Sequence, residues 1–134
     1  MKSGTPDHPK LMDLQARLNV TKPHAVGVLE CLWHWTAKFT PAGNVGRYPD
    51  IMIAQAIGWT GDPEQLVEGL VEAGWIDRSD EHRLVVHDWP DHCEDSVHLR
   101  LARATERFAD GSIPRLTRMQ KEERKEVEAK YAQQ

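Results

Sequence analysis

The sequence lacks any apolar run approaching the roughly 20 residues needed to cross a bilayer. Its first residues show no secretory signal, and only two cysteines are present. Because export is not indicated, a disulfide between these cysteines is not expected. We therefore expect a cytoplasmic protein without membrane contact, and 134 residues suit one domain with an appendage.

Motifs that carry catalysis are missing as well. There is no phosphate-binding loop, no nucleophile elbow and no His-Glu-x-x-His motif. One segment gathers metal-ligand side chains, namely His87, His92, Cys93 and His98. Their spacing matches no standard zinc pattern, so we expect structural or surface roles, no metal, no cofactor and no enzyme activity. His24, Cys31 and His34 share one face of a helical segment, where we expect them to pack.

Positive charge is scarce over most of the chain. The net charge of −4 hides an asymmetry, because residues 1–99 carry 8 basic and 15 acidic side chains, whereas residues 100–134 carry 9 and 6. A chain that is acidic over most of its length is not an obvious binder of polyanions. Any electrostatic attraction to nucleic acid has to come from local patches or from the C-terminal segment.

What the sequence does contain is a succession of short helical and turn signals. Asp7 can cap a helix over residues 8–18, and Thr21 can cap a second helix that begins beside Pro23. The elements predicted after that are a helix to Phe39, a strand over 45–48, a helix over 51–57, a turn over 58–61, a helix over 63–73 and a hairpin of 75–77 with 83–87.

This order is the connectivity of a winged helix-turn-helix. The predicted fold class is mainly α with a small β-hairpin. Residues 1–92 are the expected domain, with its core in 22–89 and an extra N-terminal helix. The predicted core residues are Leu29, Leu32, Trp33, Ile53, Ile57, Leu66, Leu70, Trp75, Leu84 and Val86.

A C-terminal helical extension is predicted to follow. Residues 93–109 read as an amphipathic helix with an apolar face of Val97, Leu101, Ala104 and Phe108. Residues 110–134 read as a linker and a last helix from about Thr117, which is so polar that we expect it to be solvated and mobile unless a partner holds it.

Four strings in this order resemble the N-terminal winged-helix domain of phage-type replisome organisers and replication initiators. They are Leu29–Trp33, Ile53–Trp59, Leu70–Asp77 and Val86–His92. The resemblance covers residues 8–92. It implies a role near replication origins, as a DNA binder or as an assembly platform, with DNA and replication proteins as partners.

The predicted helix 63–73 occupies the position of a recognition helix, which in this fold enters the major groove. It contains no lysine or arginine, and Glu64, Glu68 and Glu72 place three carboxylates on one face. Because phosphate neutralisation dominates affinity for DNA, this face would repel it. The three glutamates are candidate partner-binding residues, or an ordinary solvated face.

Candidate nucleic-acid contacts therefore lie elsewhere. They are Arg47, Arg78, His82, Arg83, Arg100, Arg103 and Arg107. The last three are predicted to form one stripe on helix 93–109, which could contact phosphates, solubilise the surface, or pair with the glutamates within the chain or across a homodimer. Two function classes stay open: a weakly sequence-specific DNA binder in replication, or a protein-interaction module that uses the same fold without DNA contact.

Overall fold

The computed structural model describes residues 8–134, which form a mainly helical chain with one small antiparallel hairpin, as the sequence predicts. The elements are α1 (Pro9–Leu18), α2 (Lys22–Phe39), a 3₁₀ helix (Val45–Arg47), α3 (Asp50–Ile57), α4 (Pro63–Glu72), β1 (Ile76–Ser79), β2 (Arg83–Val86), α5 (Trp89–His92), α6 (Asp95–Arg103) and α7 (Lys121–Ala132). Within residues 8–134, no helix combines the length and apolar character that crossing a bilayer requires.

Capping side chains determine where the first helices begin. Thr21 Oγ1 accepts a hydrogen bond of 3.4 Å from a backbone N–H in the first turn of α2, and Asp62 Oδ1 accepts one of 3.0 Å from the N–H of Glu64 in α4. Helix α1 starts behind His8, whose ring accepts a backbone N–H. The predicted cap Asp7 lies outside the described residues.

Helices α3 and α4 are joined by a tight turn, and the hairpin follows directly. Gly58 ends α3 with φ of 83°, a conformation that a residue with a Cβ rarely adopts. In the hairpin, Ile76 pairs with Val86 and Ser79 with Arg83, so the loop is residues 80–82. The predicted hairpin is therefore confirmed, with β1 extending two residues beyond its expected end.

The strand predicted over residues 45–48 is wrong. This segment forms a 3₁₀ helix, because its backbone bonds are local: the N–H of Tyr48 bonds to the carbonyl of Val45 at 3.1 Å. Gly46 lies so close to the hairpin that a Cβ there would come within 2.3 Å of its backbone. A single bond between the N–H of Val86 and the carbonyl of Gly43 replaces the expected ladder.

The predicted core is confirmed, since all ten residues assigned to it are buried. We call the cluster to which they belong the main core; it draws on every element from α1 to α6 and also includes Phe108. The packing role predicted for Cys31 and His34 is wrong, because both side chains are exposed. His24 is also exposed, but its ring packs against that of Trp59, with 5.6 Å between the ring centres.

The helix predicted over 93–109 is shorter, and α6 ends at Arg103. Thr105 adopts a left-handed conformation with φ of 55°, and the N–H of Glu106 turns back to the carbonyl of Leu101 at 2.9 Å. This reversal terminates the helix. Ala104, expected on its apolar face, is exposed.

The last helix is less solvated than its sequence suggests. Val127 and Tyr131 of α7 are buried against Ala102 of α6 and Met119, and we call these four residues the tail cluster. The Tyr131 hydroxyl donates to the carbonyl of Glu106 at 2.6 Å. Only two of the twelve residues, Val127 and Tyr131, have large apolar side chains, and this gives almost no helical periodicity, so the sequence pattern could not reveal the contact.

Candidate nucleic-acid interface

The outward side of α4 is acidic. Leu66 and Leu70 are buried against the rest of the domain, which leaves Glu64, Glu68 and Glu72 exposed. Helix α4 has no lysine or arginine, and the cation that comes to this face is Arg78 of β1, which donates to the carboxylate of Glu68. The sequence therefore placed the three glutamates correctly on one exposed face, and the structure adds that one of them is ion-paired.

Arg83 is exposed, but its guanidinium is engaged within the chain. Its guanidinium donates to the carbonyls of Gly46 at 3.1 Å and Tyr48 at 2.6 Å, and to the carboxylate of Asp50 at 2.7 Å. These three bonds fix the loop before α3 against β2. The residue has φ of 67°, so backbone strain accompanies this placement.

The tip of the hairpin retains little positive charge. The backbone N–H of His82 donates to Ser79 Oγ at 3.1 Å, and His82 Nε2 lies 3.8 Å from a carboxylate oxygen of Glu81. Because Arg78 is paired with Glu68, the hairpin does not gather the positive residues that the sequence suggested.

The three arginines predicted as one stripe have different partners in the structure. Arg100 donates to the carbonyl of Lys38 at the end of α2 at 3.1 Å, and Arg103 donates to Glu123 of α7 at 3.2 Å. Arg107 lies beyond the end of α6, where it was predicted to be helical, and donates to Gln134 Oε1 at 3.0 Å. Arg100 and Arg103 are three residues apart on α6, as the predicted stripe requires. The carboxylate that pairs with Arg103 belongs to α7 and not to α4.

Arg47 is the exception among the candidate arginines. Its side chain is exposed, and its guanidinium carbon lies 5.5 Å from the centre of the Tyr48 ring. In the part of the chain that the structure describes, no carboxylate lies within ion-pair distance of this guanidinium. Arg47 is thus available to an external anion.

Arg47 belongs to a group that sequence reasoning missed. The Tyr48 ring meets Trp35 at 5.1 Å between centres, and Trp35 meets Phe39 at 6.1 Å. Lys38 Nζ lies 5.5 Å from the centre of the Phe39 ring. We call Trp35, Lys38, Phe39, Arg47 and Tyr48 the aromatic patch. The helical spacing of Trp35 and Phe39 is visible in the sequence, but spacing alone does not show that Phe39 is exposed.

Two members of the histidine and cysteine segment, Cys93 and His98, are buried in the structure. His98 Nε2 donates to the carbonyl of Pro90 at 2.9 Å, while Nδ1 accepts from the N–H of Arg115 at 2.9 Å. Burial lowers the pKa of His98 and raises the pKa of the Cys93 thiol to about 12. Among residues 8–134, no three or more histidine, cysteine or carboxylate side chains are grouped as a metal site would require.

Fold and surface together define a mainly helical protein with a two-stranded hairpin, an acidic α4 face and an aromatic patch on another surface. Comparison with protein-family models, curated proteins and solved structures finds no match in any of the three.

Proposed function

We propose that residues 22–89 form a winged helix-turn-helix and that the chain acts as a protein-binding module in replication initiation of the phage type. The order of α2, the 3₁₀ helix, α3, a tight turn, α4 and the hairpin supports this fold. The sequence resemblance to replisome organisers supports the setting. The turn at Gly58 and the hairpin behind α4 stand where a helix-turn-helix and a wing would stand.

The acidic face of α4 is the observation that carries the protein-binding role. A helix that enters the major groove must approach two phosphate backbones, and Glu64 and Glu72 would be brought against them without a compensating cation on the helix. The same charges favour a basic protein segment. Glu68 is already paired with Arg78, so the other two carboxylates are the ones available to a partner.

The bonds that the candidate cations already form within the chain also favour protein binding over DNA binding. Five of the seven residues proposed for nucleic-acid contact hold bonds within the chain. They are Arg78, Arg83, Arg100, Arg103 and Arg107. Arg78, Arg83 and Arg103 would exchange a carboxylate partner for a phosphate, which reduces the net gain. Arg100 and Arg107 donate to neutral oxygens and keep other donors. A duplex-binding surface of ordinary affinity needs several free cations together.

The test uses two probes on the full chain. A synthetic amphipathic helix with a lysine-rich face should bind, and Glu64→Lys with Glu72→Lys should weaken that binding by at least about tenfold, because like charges then meet. Labelled duplex DNA, titrated at about 50 and about 200 mM salt, should show no salt-dependent binding to the unaltered protein.

A matched control is Glu128→Lys, which reverses an exposed charge on α7 and should leave peptide binding unchanged. The proposal is wrong if the unaltered protein binds the duplex with a strong salt dependence that the two α4 reversals change, because α4 would then lie against the phosphates. It is equally wrong if the α4 reversals and the α7 control affect the peptide alike.

A second candidate function is weak, sequence-independent contact with duplex DNA beside the hairpin. The free guanidinium of Arg47, close to His82 at the rim of an open cavity, favours it. In this case the logarithm of duplex affinity would fall only gently with the logarithm of salt concentration, and Arg47→Ala would reduce that slope by up to about one unit. A slope unchanged in Arg47→Ala would remove this candidate.

A further inference from the structure

We propose that the aromatic patch is a binding site for the unpaired bases of single-stranded nucleic acid. The patch lies at the end of α2 and in the segment that follows, and it shares no residue with the acidic α4 face. The inference goes beyond protein binding by α4 and stands independently of it.

The rings form a partly exposed platform in which neighbouring planes are inclined, by 43° between Trp35 and Phe39 and by 61° between Trp35 and Tyr48. Trp35 and Phe39 are one turn apart on α2, with ring centres 6.1 Å apart, and Tyr48 continues the row with its centre 5.1 Å from that of Trp35. Phe39 is 48% exposed, an unusual fraction for a phenylalanine. Trp35 and Tyr48 are half-buried and pack on the main core, so their rings are held in place before a ligand arrives.

Cations flank both ends of this platform. Lys38 Nζ lies 5.5 Å from the centre of the Phe39 ring, and the Arg47 guanidinium lies 5.5 Å from that of Tyr48. Arg100 adds a third positive group, since it donates to the Lys38 carbonyl while remaining exposed. Residues 31–49 contain no aspartate or glutamate, although residues 1–99 as a whole carry a large acidic excess. Asp50, which follows directly, is neutralised by Arg83.

Rings beside cations suit an unpaired strand better than a duplex. Every base has a π face that can stack on an aromatic side chain, but in a duplex those faces are covered by neighbouring bases. Lys38, which lies over the Phe39 ring, and Arg47, which lies over the Tyr48 ring, can then meet the phosphates that link the stacked bases. A basic protein segment would be repelled by the same cations. These features together select single-stranded nucleic acid as the ligand.

The experiment measures anisotropy of labelled oligonucleotides with the full chain. We compare an oligo(dT) strand, an oligo(U) strand and a duplex of equal length, so that binding of DNA can be distinguished from binding of RNA. We expect both single strands, or one of them, to bind at least about tenfold more tightly than the duplex. Phe39→Leu should lower single-strand affinity by about 5- to 150-fold, because it keeps an apolar side chain but removes the π face.

Three further variants make the result specific. Phe39→Trp should retain binding. Arg47→Ala should reduce the salt slope by about 0.7, the value for one phosphate contact on a single strand. Met12→Ala removes another exposed apolar side chain, 63% exposed on α1, and should change nothing.

The proposal is overturned if the duplex binds as well as the single strands, if no oligonucleotide binds, or if Phe39→Leu and Met12→Ala behave alike. Thermal melting of each variant checks that the fold is kept. We expect it to be kept, because about half of the Phe39 side chain is exposed. Glu64→Lys with Glu72→Lys should abolish binding of the basic peptide and leave Phe39-dependent binding of the single strand in place. The two proposals therefore fail separately.

Discussion

The main core and the tail cluster hold the same chain together in different ways. The main core combines buried side chains from every element between α1 and α6, whereas the tail cluster has four: Ala102, Met119, Val127 and Tyr131. Burial of apolar area is the dominant stabilising term in the main core. The buried apolar area of the tail cluster is small, so polar contacts must contribute a larger share of its stability.

Those polar contacts concentrate at the end of α6. The Tyr131 hydroxyl reaches the carbonyl of Glu106 at 2.6 Å, and Gln134 Nε2 reaches the carbonyl of Thr105 at 3.1 Å. Arg103 and Glu123 join the two helices at 3.2 Å. A helix with a polar sequence can therefore still dock. It does so when its few apolar residues are buried and its hydrogen-bond donors reach carbonyls at the end of another helix.

The largest expected effect comes from Leu29→Ala in the main core. Leu29 is completely buried, so the substitution should lower the free energy of unfolding by about 2–5 kcal/mol. Urea denaturation followed by far-UV circular dichroism should show a lower midpoint with an unchanged slope. A loss below about 0.5 kcal/mol, typical of surface sites, would show that α2 is not central to this core.

Tyr131→Ala should disturb the tail cluster alone. Loss of the buried ring and its hydroxyl bond should free α7, at a cost of about 1–3 kcal/mol. Hydrogen exchange should show reduced protection in α7 while α2 keeps its protection. Tyr131→Phe, which removes the hydroxyl only, should cost about 1 kcal/mol. Equal loss of protection in α2 and α7 would mean that the two regions unfold as one unit.

His98 lies between the two regions, and its titration should loosen their junction. Burial lowers the pKa of His98 below its ordinary value of 6.5, so the folded state favours the neutral ring. The stability that depends on neutral His98 is complete above pH 6.5 and is lost as the pH falls below that value, because the unfolded chain then binds more protons.

The expected result is a fall in the free energy of unfolding between about pH 7.5 and pH 5.5, which is smaller in His98→Gln than in the unaltered chain. The protection factor of the Arg115 backbone N–H, which donates to Nδ1, should be smaller at the lower pH once the slower intrinsic exchange there is taken into account. Identical pH dependence in both proteins would exclude His98 as the cause.

The smallest effect is expected for Glu123→Gln, which removes the ion pair with Arg103. The two side chains are 39% and 60% exposed, so solvent screens the attraction, and the loss should be below about 1 kcal/mol. Thermal melts at low and high salt measure it, with Glu128→Gln as an unpaired control on α7. A larger loss that persists at high salt would mean that charge, rather than Tyr131, holds the tail.

Capping residues and strong apolar periodicity made much of the fold predictable. The ends of α2, α3 and α4 agree with the sequence within about a residue or two, because Thr21, Gly58 and Asp62 act locally. The 3₁₀ helix at Val45–Arg47 was not predictable in this way, since the close approach of Gly46 to the hairpin is a tertiary contact.

The site was less predictable than the fold. The exposed glutamates of α4 follow from helical spacing alone, and so they were found. The partners of the arginines depend on groups distant in sequence: Arg100 meets the end of α2, and Arg103 meets Glu123. Exposure of Phe39 depends likewise on how the chain turns after α2, which no local pattern encodes.

The two cysteines differ enough to be useful as chemical handles. Cys93 is buried, and its pKa of about 12 keeps the thiol protonated at neutral pH, so a maleimide should leave it untouched. Cys31 is exposed on α2, one turn before Trp35. A single fluorophore can thus be attached to the unaltered sequence beside the aromatic patch, where its emission would report directly on what stacks there.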